Sequence, residues 1–369
     1  MPETLYQDPA ELHRSPEEYR IIPPWRERIK QPRWIIAIAG GTLALLLIIW
    51  IMTRPEPKPI VLGASDRSLA ISPNGKLLAI GMRDGSLRLV GAESGHTLAL
   101  AQLPASIQCV AFGPDDTVLA LLQSQNLLYI FSNDLKSHSE RLVQPHPRDV
   151  IWSQALGAAI VVSSGPDDIH PSLEFFPAQP LGIASSTSQV YGLQDWAAPV
   201  NVAVTADGSR VVVTLDTNRR ANVIFYDPEK RRVAATALVS GKPRGIAIAA
   251  DGNYVWVVGS TAENITEITA KVSAKSEFPK SASTSPLWMI GVNEGARRAY
   301  TTGALTFPEV DLAQNKITRT FELPTRSAAI ALSPDRNTAY LTYQDANKIG
   351  VINLQDMKTY SEIDLPQSQ

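Results

Sequence analysis

Five histidines (His13, His96, His138, His146 and His170), one cysteine (Cys109) and 36 acidic residues are the material for chemistry in this chain. A structural or catalytic metal needs such groups at short regular spacings, and no HExxH or paired Cys/His motif occurs. No metal and no cofactor is therefore expected. A nucleophilic hydrolase would need a G-x-S-x-G elbow, and a phosphate site a glycine-rich loop after a strand; the sequence has neither. His138, His146 and His170 are near enough along the chain to converge, or to stand apart as solvated loop residues. Cys109 opens the apolar run CVAFGPDDTVLALL, where a small buried side chain is its expected role, and a lone cysteine excludes an internal disulfide. With 34 basic residues and a net charge of −2, the chain has no basic excess to hold a phosphate backbone, so nucleic acid is not an expected partner.

The elements that must position these groups are strands. In KPRGIAIAADGNYVWVVGS (Lys242 to Ser260) a small and branched alternation stops at Asp251-Gly252, which suits a tight turn, and a β-branched and aromatic run follows. The same hairpin recurs at SLAISPNGKLLAIG from Ser68, CVAFGPDDTVLALL from Cys109, NVAVTADGSRVVVTL from Asn201 and AAIALSPDRNTAYLTY from Ala328. Weaker copies start at Asp149 and Pro286. With Asn74, Asp115, Ala155, Asp207, Asp251, Gly295 and Asp335 taken as equivalent, the steps run from about 40 to about 52 residues. After each hairpin come a third strand (NVIFYDPEKRR, KIGVINLQDMK) and a fourth (VAATALVSG, YSEIDLP). Four strands per unit and seven units predict a ring. Closing it would bring Pro59 to Gly63 beside Tyr360 to Leu365 and remove open sheet edges.

At SPDRNTAYLTYQDANKIGVINLQDMKTYSEIDL and TADGSRVVVTLDTNRRANVIFYDPEKRRVAATALVSG the chain resembles the YVTN/WD40-like β-propeller superfamily. The consensus of that superfamily has a Pro-Asp-Gly turn, a Tyr-Val strand and a Val-Ile-Asp strand, and the resemblance runs from about Pro59 to Gln369. No unit has a Trp-Asp pair closing its third strand, a departure from the WD40 pattern proper. The resemblance implies an all-β, seven-bladed β-propeller and is silent on activity. If the chain were an enzyme of lactonase or quinoprotein type, Asp149, Asp195, Asp216 and Arg244 are the groups that would gather around the axis.

Ahead of the repeats, WIIAIAGGTLALLLIIWIM (34–52) has no charged residue and as a helix would rise about 28 Å, close to the bilayer hydrocarbon thickness. Trp34 and Trp50 stand where interfacial aromatics are favoured, flanked by Arg33 and Arg54. The Pro-rich spacer that follows, in place of a small-residue cleavage site, argues for an uncleaved anchor. Arg20, Arg26, Arg28, Lys30 and Arg33 before the span, against Arg54, Lys58 and Arg67 after it, put the N-terminus in the cytoplasm. The predicted organisation is a largely disordered cytoplasmic tail (1–33), a single transmembrane helix (34–52), a linker (53–59) and a propeller (60–369) that is periplasmic or extracellular. In the tail, Trp25 within IIPPWRERI either rests on lipid headgroups or docks a partner.

The repeat lengthens once, over SGPDDIHPSLEFFPAQPLGIASSTSQVYGLQD (164–195). Added length in a repeat protein goes into loops on one face, often the binding face. Asp167, Asp168, His170, Phe175 and Phe176 are the candidate contacts there, with the two phenylalanines alternatively filling the blade core. The resulting expectation is a membrane-anchored scaffold or accessory subunit of a membrane or envelope complex, whose partners are the bilayer and other membrane or envelope proteins. An anchored lactonase-type enzyme, or a ligand sensor coupled to the tail, is the alternative.

Overall fold

The computed structural model describes residues 64–365, apart from 167–169, 179–188, 194–196, 218–221, 240, 250, 260–264, 270–274, 278–288, 304 and 315. The predicted span 34–52, the tail and the linker lie outside the described residues; among the described residues no helix is long and apolar enough to cross a membrane.

Each repeat folds as one antiparallel sheet whose four strands follow in chain order, and there are seven such sheets. They span Ala64–Gln102, Cys109–Leu142, Pro147–Gly192, Pro199–Ala237, Pro243–Glu277, Met289–Glu322 and Ser327–Asp364, here blades 1 to 7. Patterning explains the strand positions. Second strands such as Val211–Leu215 (VVVTL) and Ala158–Ser163 (AIVVS with its leading Ala) are buried throughout, because a neighbouring blade covers each face. Outer strands such as Lys316–Glu322 (KITRTFE) alternate exposed and half-buried residues, since only one face meets protein. Core clusters accordingly form between blades, as where Ile160 and Leu173 of blade 3 pack on Val202, Val211 and Tyr226 of blade 4.

An up-and-down meander puts the turns between strands one and two, and those between three and four, on one face of the ring. On that face, here the turn face, every blade ends its first hairpin turn with a left-handed residue: Gly75, Asp116, Gly157, Gly208, Gly252, Arg297 and Arg336, all with positive φ. Several of these residues approach the preceding blade, whereas a Cβ on Gly157 would meet nothing within 4 Å. A Cβ on Gly75 would lie 3.0 Å from Pro334 of blade 7, and one on Gly252 3.0 Å from Thr205 of blade 4. Asp116 instead accepts a hydrogen bond from Asn74 Nδ2 of blade 1 at 2.9 Å.

Blade 7 takes its four strands from its own repeat, and the ring closes by packing blade 1 (Leu69, Leu78, Met82) against blade 7 (Ala329, Tyr340, Leu365). Residues 59–63, expected beside the last outer strand, lie outside the described residues. The lengthened stretch of blade 3 is not a single loop. The third strand, Ser172–Pro177, lies inside the lengthened stretch and pairs with Ala158–Ser163 on one side and Gln189–Gly192 on the other.

Candidate functional site

The turn face carries a solvent-open cleft of about 240 Å³ between blades 6 and 7. Asn293, Arg298, Tyr300, Glu309 and Arg319 line it from blade 6, and Arg336, Asn337 and Gln355 from blade 7. Glu309 sits on the third strand of blade 6 (Thr306–Asp311) and is 2% exposed. It accepts hydrogen bonds from Tyr300 Oη at 3.1 Å, Thr318 Oγ1 at 2.5 Å and Arg319 Nε at 3.0 Å, and Arg319 Nη2 also reaches it. Arg298 Nε lies 3.7 Å away, and its Nη1 pairs with Asp311. Burial opposes ionisation of Glu309, but the bonds from Arg319, Thr318 and Tyr300 outweigh it and hold the carboxyl below its ordinary range. Burial, then the charge of Glu309, pushes the Tyr300 hydroxyl up to about 12. Arg319 also donates to the carbonyls of Gln355 at 2.7 Å and Leu354 at 2.9 Å, tying blade 6 to blade 7.

The neighbouring junction repeats this plan with other residues. In blade 5, Trp256 Nε1 donates to Glu267 at 2.8 Å, and Arg297, the left-handed turn residue of blade 6, reaches the same carboxylate at 3.2 Å. Register makes the two glutamates equivalent, since Trp256 pairs with Glu267 and Tyr300 with Glu309. Arg336 of blade 7 is thus the counterpart of Arg297. Its expected carboxylate, Glu309, is already held by Arg319.

The central channel offers different chemistry. A cavity of about 330 Å³ is walled by the first strands of blades 1 to 6, mainly by apolar side chains such as Ile71, Val110, Ile151, Val202 and Met289. Asp149 faces it and is 6% exposed. Its oxygens accept from Val202 N of blade 4 at 2.9 Å, Val150 N at 3.0 Å and the Cys109 thiol of blade 2 at 3.0 Å. The carboxylate therefore fastens three blades together. Of the other axial candidates, Asp216 pairs with Lys242 at 2.9 Å, Arg244 is exposed on blade 5, and Asp195 lies outside the described residues. Of these, Asp149 lines the cavity, and Asp216 and Arg244 are not part of its lining.

A family model for the anaphase-promoting complex subunit 4 WD40 domain matches residues 49–115, a stretch that includes blade 1 and the first strand of blade 2. The fold is that of a WD40-like seven-bladed β-propeller. A solved structure described as Kuenenia stuttgartiensis hydrazine synthase superposes with a TM-score of 0.70 at 16% identity, over 81% of this chain and 98% of that one. At that identity the likeness extends to the fold alone. Matches to the propeller number 1686 solved chains, too many for the fold to indicate one activity. No curated protein matches the sequence.

Of the contact residues predicted from sequence, Phe176 is 4% exposed and packs between blades 2 and 3 of the propeller with Leu119, Val150 and Val161. Phe175 is half-buried on the opposite side, 5.6 Å from the Tyr191 ring and 6.4 Å from that of Tyr226 in blade 4, with Arg231 5.9 Å above Tyr191. His170 is exposed, and its N–H bonds Ser164 O at 3.2 Å. His146 sits nearby, since Ser164 N bonds its carbonyl at 3.0 Å, whereas His138 begins an outer strand at the opposite face. No metal-binding cluster of His, Cys, Asp or Glu occurs among the described residues. Asp167, Asp168, Trp25, Trp34, Trp50, Arg33 and Arg54 lie outside them. The arginine cleft was not anticipated. The signal for it was present in the repeats, where Asp335-Arg336 stands in place of Asn74-Gly75, Asp207-Gly208 and Asp251-Gly252.

Proposed function

We propose that this chain is a membrane-anchored protein whose extracytoplasmic propeller is a protein-interaction platform, an accessory or scaffold subunit of a membrane or envelope complex. The observation that carries the reading is the turn face: seven left-handed turn residues hold its loops in a common frame, and a charged cleft opens to solvent on it. Loops fixed by a rigid scaffold suit macromolecular contact. The channel gives enzymatic chemistry less to use, because the oxygens of Asp149 are engaged by backbone N–H groups and a thiol. Anchoring rests on the charge-free segment 34–52 and its flanking Trp34, Trp50, Arg33 and Arg54, and orientation on the positive charge ahead of it. Residues of blade 3, namely Asp167, Asp168, His170 and Phe175, are a second proposed contact, and Trp25 a cytoplasmic one. Alkaline phosphatase fused after Gln369 is expected to be active, while activity of a cytoplasm-dependent reporter there would reverse the topology. Solubilisation in mild detergent, affinity capture of the full chain and mass spectrometry are expected to return a stoichiometric envelope protein. A monodisperse chain with no partner would refute the platform.

A further inference from the structure

The junction between blades 6 and 7 departs from its neighbour in a way that points outward. At the junction of blades 5 and 6, the aromatic donor, the third-strand glutamate and the turn arginine of the next blade close on one another: Trp256, Glu267 and Arg297. At the following junction the first two are Tyr300 and Glu309. Here Arg319, from the outer strand of blade 6, has taken both oxygens of the carboxylate, one through Nε at 3.0 Å and the other through Nη2. Arg336 is left exposed at the cleft mouth.

Charge on the walls is correspondingly unbalanced. Arg298, Arg319 and Arg336 line the cleft against the single carboxylate of Glu309. Asp311 pairs with Arg298 from behind and the charge of Asp356 acts on Arg319, so Arg336 is the wall guanidinium outside these pairs. Asp335 precedes Arg336 but is turned into its own hairpin, accepting from Ser333 Oγ at 2.5 Å, Asn337 N at 3.1 Å and Asn337 Nδ2 at 3.0 Å. Burial of Glu309 and its bonds fix Arg319 in place, so the cleft is ordered before any ligand arrives.

We infer that the cleft between blades 6 and 7 captures a carboxylate side chain from an acidic segment of a partner protein, with Arg336 as its main anchor and Arg298 and Arg319 as the positive wall. The inference rests on the platform reading and names the chemistry of its partner. An aspartate or glutamate entering the cleft supplies to Arg336 what Glu267 supplies to Arg297. Guanidinium and carboxylate match as planar forks, and a pair shielded by cleft walls holds better than one on an open surface. Arginine is also enriched among residues that dominate interface energy.

Fluorescein-labelled hexaglutamate is the probe, with anisotropy read against the full chain in detergent at low and high salt. Binding is expected to weaken with salt and to fall at least tenfold in Arg336→Gly. That variant restores the residue found at this turn position in blades 1, 3, 4 and 5, so its melting temperature should hold. Arg336→Gln provides a second loss of charge, and Arg336→Lys should bind at an intermediate level. Arg83→Ala, on the opposite face, should leave binding unchanged. Equal binding by wild type and Arg336→Gly, or no binding by wild type at millimolar probe, overturns the inference. A phosphoserine peptide bound tenfold more tightly than hexaglutamate, and lost in Arg336→Gly, overturns the carboxylate assignment in favour of phosphate. If an envelope partner captured by wild type is equally captured by Arg336→Gly, the cleft fails while the platform survives; if wild type captures none, the platform itself fails.

Discussion

Replacing Asp149 with alanine should destabilise the ring more than any other change at the channel wall. The side chain joins blade 3 to blade 4 through Val202 N at 2.9 Å and to blade 2 through the Cys109 thiol at 3.0 Å, and also accepts from Val150 N. Hydrogen bonds to a charged acceptor contribute about 1.5–3 kcal/mol each, and a buried N–H left without its partner adds a penalty. Release of a desolvated carboxylate offsets part of this loss. A net destabilisation of about 3 kcal/mol follows, or roughly 5 °C in melting temperature for a domain of this size. Asp149→Asn retains one acceptor oxygen and should fall between. Cys109→Ala removes only a weak thiol donor and should shift the midpoint by about 2 °C or less. Circular dichroism melts of the full chain in detergent, at one scan rate, give the ranking. An Asp149→Ala midpoint within 2 °C of wild type, or a larger effect from Cys109→Ala, would show that the carboxylate does not fasten the blades.

Other outcomes are open to direct measurement. Hydroxyl and backbone N–H donors lower Asp207, Asp134 and Asp356 from the ordinary 3.8 to about 2, the hydroxyls of Thr205, Ser132 and Thr359 leading in each case. As pH falls the unfolded chain protonates these groups first, so their stabilisation is complete above about pH 4 and disappears towards pH 2; Asp207→Asn should flatten that slope in a pH series of melts. Phe176→Ala should cost about 3–5 kcal/mol in chemical denaturation, because the ring is enclosed between two blades. Phe175→Ala, half-buried, should cost about half as much, and comparable values would contradict the assigned packing. The outer strand of blade 1, Thr97–Gln102, carries no charge and exposes Leu98 and Leu100 at 58% and 51%; the double change to lysine should reduce aggregation in light scattering without lowering the melting temperature.

The blades were legible because burial writes period and length into each strand. Runs such as Tyr254–Gly259 and Val211–Leu215 lie between two neighbours and must be apolar on both faces, and the Asx-Gly turns mark where they begin. The blade 3 enlargement was legible as length but not in its layout, since composition does not reveal that the strand Ser172–Pro177 would lie inside it. Phe175 and Phe176 could not be told apart in advance, because adjacent residues on a strand face opposite blades and both blades are apolar. The cleft was harder still. Glu267 and Glu309 occupy equivalent strand positions, yet only the reach of Arg319 across to Glu309 makes their junctions differ.

Chain connectivity also gives the ring a mechanical asymmetry. With seven blades each built from consecutive strands, six junctions are crossed by the peptide chain, while among the described residues no chain segment crosses the junction of blades 7 and 1, where hydrophobic side chains pack. It behaves as a clasp. Gly75 against Pro334 and Gly95 against Ile363 let the two halves of the clasp approach closely, so it shuts tightly with no covalent rivet. Tension on the chain entering at Ala64 is delivered to the first strand of blade 1, on one side of that clasp. Parting blades 7 and 1 there separates packed groups and no chain connection, whereas every other junction stays tied by the peptide.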